Sequence, residues 1–159
     1  MKLRSEARAP ARGSVPPSGL PAPLTPVVGV PRGRGEGRTL KRVLIIEDDA
    51  DTRACLAMAV ALGGYEVSEA EDGREGLREA CANRPDLILL DLMMPRMDGW
   101  QFRAAQKGNP ALAGIPVIVT SAVATEWWEE LGDVAARFPK PFDIEVLLEA
   151  IGEHVAASS

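Results

Sequence analysis

The sequence predicts a doubly wound α/β fold, in which helices cover both faces of a parallel sheet. Two observations carry this. Short apolar runs alternate with helically spaced segments five times between residues 41 and 157. Most of those runs are apolar at every position, as strands buried on both faces must be.

The first strand is predicted at Val43–Ile46. A helix over Asp51–Leu62 follows, burying Cys55, Leu56, Ala59 and Val60 and stopping at Gly63-Gly64, which suit a left-handed C-terminal cap. Tyr65–Ala70 alternates and reads as a strand near an edge, and Gly73–Asn83 as a helix with Leu77, Ala80 and Cys81 inward, ended by Pro85. Leu87–Leu90 is apolar throughout and so central. A helix over Trp100–Lys107 runs into the turn Gly108-Asn109-Pro110, and Val117–Thr120 is the fourth strand. Ser121–Arg137 is the least regular part, with room for one short helix carrying Trp127 and Trp128; that helix is too short to bury both rings, so one is expected to face solvent. A brief strand at Ala135–Phe138 leads to Pro139-Lys140-Pro141, and Asp143 caps a last helix that packs through Ile144, Leu147, Leu148 and Ile151.

Residues 1–40 differ in kind. They are rich in Pro, Gly, Arg and Ala without a strand or helix period, and too few apolar side chains are available to offset the entropy of ordering them. A disordered tail is expected there, and a folded domain at 41–157. Charge follows the same division: residues 1–42 hold nine Lys/Arg against two acids, a charge of +7, and the remainder nine against 21, a charge of −12. The basic residues are scattered among prolines with no aromatic to stack on a base, so nucleic-acid binding is expected to be weak at most.

No apolar run approaches the ~20 residues of a membrane-spanning helix, and the N-terminus lacks the apolar stretch of a secretory signal. A cytoplasmic location is expected. Cys55 and Cys81 fall on different predicted helices without metal-ligand spacing, so free buried thiols in a reducing compartment are expected.

In open parallel sheets ligands sit at the carboxyl ends of the strands. Glu47-Asp48-Asp49 follows the first strand, Asp91 the third, Thr120-Ser121 closes the fourth, and Lys140 follows the fifth. Carboxylates gathered at one edge repel each other unless a cation compensates, and few, all-oxygen donors suit Mg²⁺. A carboxylate facing a metal and a lysine can act as a nucleophile toward a phosphoryl group.

The segments VLIIEDDADTR, PDLILLDLMMPRMDGW, IPVIVTSA and KPF, in this order, resemble the receiver domain of two-component response regulators over about residues 41–155. The resemblance implies a flavodoxin-like (βα)5 fold with strand order 2-1-3-4-5. It makes Asp91 the phosphoacceptor, Asp48 and Asp91 direct Mg²⁺ ligands, Glu47 a ligand through water, and Met93 a ligand through its backbone carbonyl. Ser121 becomes the switch hydroxyl, Ala122 the small residue beside the phosphoryl group, and Lys140 the invariant lysine, joined to Pro141 by a cis bond. It also implies a signalling domain rather than an enzyme. The expected partners are a sensor histidine kinase or phosphotransfer protein and a downstream effector protein, since no effector domain follows the last helix.

Other polar residues are assigned no chemistry. Asp49 and Asp51 are expected to cap the first helix, Asp98-Gly99 to enter the third, and His154 to lie on the surface. Met93, Met94 and Met97 read as a soft apolar cluster. No Gly-rich phosphate loop follows the first strand, and Asp91-Leu92-Met93 lacks the second carboxylate of a phosphatase aspartate motif.

The chain departs from the family pattern in two places. Lys140 lies only 19 positions past Ser121, so the fourth helix is expected to be about a turn short. Arg137 stands three before the lysine, where the family has an aromatic, and Phe138 points to the opposite face by the period of two. Pro139 lacks a backbone donor and requires an edge strand. These departures keep a second expectation open, a pseudo-receiver used as a constitutive binding module.

Overall fold

The computed structural model describes residues 39–158 apart from Ala124. The chain divides into two units, Met1–Arg38 and Thr39–Ser159. The expected disordered tail lies outside the described residues.

Five parallel strands, β1 (Arg42–Ile46), β2 (Glu66–Ala70), β3 (Leu87–Asp91), β4 (Val117–Ser121) and β5 (Ala136–Pro139), form one sheet in the order β2-β1-β3-β4-β5. Among the described residues four α-helices connect and flank them: α1 (Ala50–Leu62), α2 (Gly73–Ala82), α3 (Gly99–Lys107) and α4 (Ile144–Ala157). This is the predicted doubly wound fold. Every residue of β3 and β4 is buried, whereas β5 alternates between half-buried and exposed as an edge strand does, which accommodates Pro139.

Each α-helix begins at an aspartate whose carboxylate accepts a backbone N–H of the first turn. Asp49 accepts from Thr52, Asp72 from Glu75, Asp98 from Gln101 and Asp143 from Glu145. The Gln101 side chain returns a bond to the Asp98 backbone and completes a capping box. Past the end of α1, Gly64 takes a positive φ of 95°.

Two apolar layers hold the helices to the sheet. One gathers Leu44, Ile46, Ile88, Leu90, Val117 and Val119 with Ala80 of α2 and Phe102 of α3. The other gathers Val43, Ile45, Leu87, Leu89 and Ile118 with Leu56 and Val60 of α1 and Leu147 and Ile151 of α4. Alternate residues of each strand go to opposite layers, as the strand period requires.

Three expectations are corrected. The short helix expected between β4 and β5 does carry both tryptophans but, among the described residues, it is a 3₁₀ helix, Thr125–Leu131, rather than a shortened α-helix. It buries Trp128 (4% exposed) and Leu131 in the first layer and leaves Trp127 55% exposed, the division of the two rings that its length predicts. Three cations close its end: Lys107 Nζ donates to Leu131 O at 2.8 Å, Arg137 Nη2 to Gly132 O at 3.1 Å, and Arg103 Nη2 to Asp133 O. Successive carbonyls that a longer helix would bond internally are satisfied by side chains from α3 and β5 instead. Arg137 thus grips this segment, while Phe138 faces the other layer and packs edge-on against Phe142.

The second correction concerns the thiols. Cys55 and Cys81 are both free and exposed, because α1 buries the face of Leu56 and Val60, and α2 that of Gly76 and Ala80. In the third, Met94 and Met97 pack against the first layer but Met93 is 58% exposed, so the methionines do not form one cluster.

Candidate functional site

The residues singled out after the apolar runs meet at one edge of the sheet. Glu47 and Asp48 leave the end of β1, Asp91 ends β3, Ser121 ends β4, and Lys140 follows β5. Because β1 and β3 are paired neighbours, with Ile46 beside Leu90, the acidic pair and Asp91 are brought together. One oxygen from each of Glu47, Asp48 and Asp91 lies within 4.8 Å of the others. Glu47 is 1% exposed, Asp91 4%, and Asp48 faces solvent.

The ammonium of Lys140 reaches this cluster. Its Nζ stands 2.7 Å from Glu47 Oε2 and 3.7 Å from Asp91 Oδ2, so its tighter partner is Glu47. The Lys140 backbone N–H donates to Ser121 O at 2.8 Å, and the following peptide bond to Pro141 is cis. Burial alone lowers the lysine pKa, but the hydrogen bond that its ammonium donates to Glu47 and the charges of Asp91, Glu47 and Asp48 outweigh it and hold the pKa above its ordinary value. Asp91 moves further: burial first, then the Glu47 charge, raise its carboxyl to about 7 against the pull of Lys140. The Met93 backbone N–H points at Asp91 Oδ1 from 3.4 Å.

Ser121 is fully buried, and its Oγ accepts from the Val123 backbone N–H at 3.2 Å. Ala122 is exposed and Thr120 buried. Asp49 caps α1 as expected, and its bonds from the Thr52 side chain and backbone depress its carboxyl pKa. Asp98 caps α3, and His154 sits half-buried in the last turn of α4.

Two arginines that the sequence did not single out bond residues just past the ends of β1 and β2. Arg53 Nη1 donates to Glu47 O at 2.7 Å while its Nε pairs with Glu69 at 3.3 Å, fixing the backbone that carries the acidic pair. Arg96, in the loop after β3, pairs with Asp72 and Glu71. The position of Arg53, one turn into α1, was the available signal for the first; nothing local signals the second.

Hard oxygen donors, two of them buried and sharing a single ammonium, carry more negative charge than Lys140 balances. That donor set fits a small divalent cation such as Mg²⁺.

A doubly wound sheet that collects three carboxylates and a lysine at the carboxyl edge of β1, β3 and β5 defines a receiver-type α/β domain. The chain belongs to the response regulator receiver domain family, whose model matches residues 43–152. It is 44% identical over 86 residues to the transcriptional regulatory protein PrrA of Mycobacterium tuberculosis, covering 54% of this chain and 36% of that protein. It is 36% identical over 110 residues to the response regulator MprA of Mycolicibacterium vanbaalenii, covering 67% of this chain and 47% of that one. The chain thus spans less than half the length of these relatives. Among solved structures it is similar to the chemotaxis response regulator CheY4 of Vibrio cholerae, with a TM-score of 0.67 at 30% identity, covering 73% of this chain and 99% of the other.

Proposed function

We propose that this domain accepts a phosphoryl group on Asp91 from the phosphohistidine of a sensor kinase or phosphotransfer protein, and passes the change to a downstream effector protein. The observation that carries this reading is the convergence of Asp91, Glu47, Asp48 and Lys140 at one strand edge. A carboxylate oxygen of Asp91 attacks phosphorus, the N–P bond of the phosphohistidine breaks, and the imidazole leaves and recovers a proton from solvent. Asp48, Asp91 and the Met93 carbonyl would hold Mg²⁺, with Glu47 acting through water, and the ion would supply positive charge against the phosphoryl oxygens.

Lys140 is already within 3.7 Å of Asp91 and turns its ammonium to the new charge. The added charge of roughly −1.5 to −2 draws the Ser121 O–H toward it as a donor, and because the Val123 N–H already donates to that Oγ, the segment after β4 is repositioned with the hydroxyl. The exposed Met58 and Leu62 of α1 support a protein partner, since a helix that begins beside the acidic pair presents apolar side chains to solvent. The domain is taken to run over 41–157, behind a basic tail at 1–40, in the cytoplasm.

The test is incubation with acetyl phosphate, with and without Mg²⁺, followed by peptide mapping. Mg²⁺-dependent acyl phosphate on the peptide containing Asp91 is expected; modification elsewhere, or none, overturns the reading. A second expected outcome concerns lifetime. Met93 and Val123, two residues past Asp91 and Ser121, are apolar, and apolar neighbours keep attacking water from the phosphoryl group. Self-dephosphorylation should therefore be slow, and a lifetime of only seconds would contradict it.

One observation favours the pseudo-receiver reading, a fold that binds a partner constitutively. Arg137 grips the 3₁₀ segment through Gly132, so the surface there is held without modification. If partner binding is equal with and without the acyl phosphate, this second reading replaces the first.

A further inference from the structure

We infer that Arg96 is a positioning residue for the acidic edge: it clasps the loop after β3 to the start of α2, across the end of β1. The inference rests on the reading of that edge as a divalent-cation site. In the sheet β1 lies between β2 and β3, so the loops leaving β2 and β3 flank the one that carries Glu47 and Asp48. Arg96 joins those flanking loops. Its Nη2 lies 3.0 Å from Glu71 Oε1, and its Nε donates to Asp72 Oδ2. Among the described residues no other ion pair links the two loops.

Both ends of the clasp reach the acidic edge. On the β2 side, Glu71 follows Ala70, whose carbonyl accepts the Glu47 backbone N–H at 3.1 Å. On the β3 side, Arg96 lies three residues past Met93 in the loop that begins at Asp91. A backbone bond from Gly73 N–H to Met97 O, 3.1 Å, runs beside the ion pairs. Asp72 is buried and already caps α2 through Glu75 N–H at 2.9 Å, so that helix start does not depend on Arg96. What Arg96 adds is a hold on the loop.

The backbone shows that this hold is needed. Arg96 has φ = 67°, in the left-handed region that a side chain with a Cβ adopts at a cost. It is the one non-glycine residue with positive φ among the described residues. Such a conformation persists where its surroundings over-determine it. Here the two carboxylates do so, and the arrangement sets the distance between the Met93 end of the loop and the Glu47-Asp48 pair.

The experiment is calorimetric titration of the full chain with Mg²⁺ alone, alongside thermal unfolding. Arg96→Ala should raise the Mg²⁺ dissociation constant about tenfold, the lower range for residues that orient metal ligands. Asp72→Asn keeps a good cap while removing the paired charge, and should weaken Mg²⁺ binding by a similar factor even if Arg96→Ala folds poorly. The double variant should be no weaker than the weaker single one, because Arg96→Ala already removes the pair that Asp72→Asn removes, and Arg96→Lys should recover part of the affinity. Cooperatively melting variants with wild-type affinity overturn the clasp alone, as does an additive double variant. A wild-type chain that binds no Mg²⁺ overturns the clasp together with the cation-site reading.

Discussion

Asp91→Asn is expected to abolish acyl phosphate formation and, in metal-free protein at pH 8, to stabilise the fold by roughly 2–4 kcal/mol. The first effect follows because an amide is no nucleophile toward phosphorus, the second because the carboxylate charge is lost. Burial and the neighbouring Glu47 charge raise the folded-state pKa of Asp91 to about 7, whereas the unfolded chain has the ordinary value of 3.8. Between those values the folded carboxyl binds a proton that the unfolded one has released. Stability therefore falls as pH rises through this window, and the full cost is present above pH 7. A neutral amide of the same shape escapes it. Urea unfolding in a chelator across pH 4 to 8 should show the variant and wild type converging at the acid end and separating toward pH 8. Equal stability at pH 8 would contradict the electrostatic account. Mg²⁺ should narrow the gap by stabilising the wild type through binding.

Gly99→Ala is expected to cost about 2–3 kcal/mol, at the upper end of overpacking effects, and to impair phosphoryl acceptance as well. A Cβ at Gly99 would lie 2.7 Å from Asp91 O, Leu92 Cα and Leu92 Cδ2. Two of those atoms are backbone, one of them in Asp91 itself, so relief requires moving either α3 or the strand end that carries the carboxylate. The bond from Gly99 N–H to Leu92 O, 2.9 Å, resists that separation. Thermal unfolding and acetyl phosphate labelling measure the two effects. Gly114→Ala is the control, because nothing lies within 4 Å of its added carbon. It should stay within about 0.5 kcal/mol of wild type, and a similar loss in both variants would refute the steric argument.

Strands were legible to within a residue or two because burial on both faces leaves an unbroken apolar run, as at Leu87–Leu90 and Val117–Val119. Helix starts at Asp49, Asp98 and Asp143 were legible because capping is local chemistry. The inward face of α1 was not. From Ala54 to Leu62 the helix has no charged or polar side chain except the thiol of Cys55, so no polar stripe marks the solvent side and Cys55 was assigned inward. The stretch between β4 and β5 was equally opaque. Its 3₁₀ form depends on Arg103, Lys107 and Arg137, two of which lie more than twenty residues upstream of the carbonyls they hold.

By itself, the order of apolar runs and the acidic, hydroxyl or basic residues that close or follow them determined the fold class, the strand edge and the candidates Glu47, Asp48, Asp91, Ser121 and Lys140, because period and position along a strand are properties of local sequence, while Met93 came from the family resemblance. Only the tertiary structure decided that Lys140 bonds Glu47 more closely than Asp91, that Ser121 is held by Val123, and that Arg96 spans from one loop to another. The first and third join side chains distant in sequence, and the second fixes a hydroxyl rotor that the local sequence leaves free. Distance in space is set only when the sheet order places β1 between β2 and β3 and β5 at the far edge.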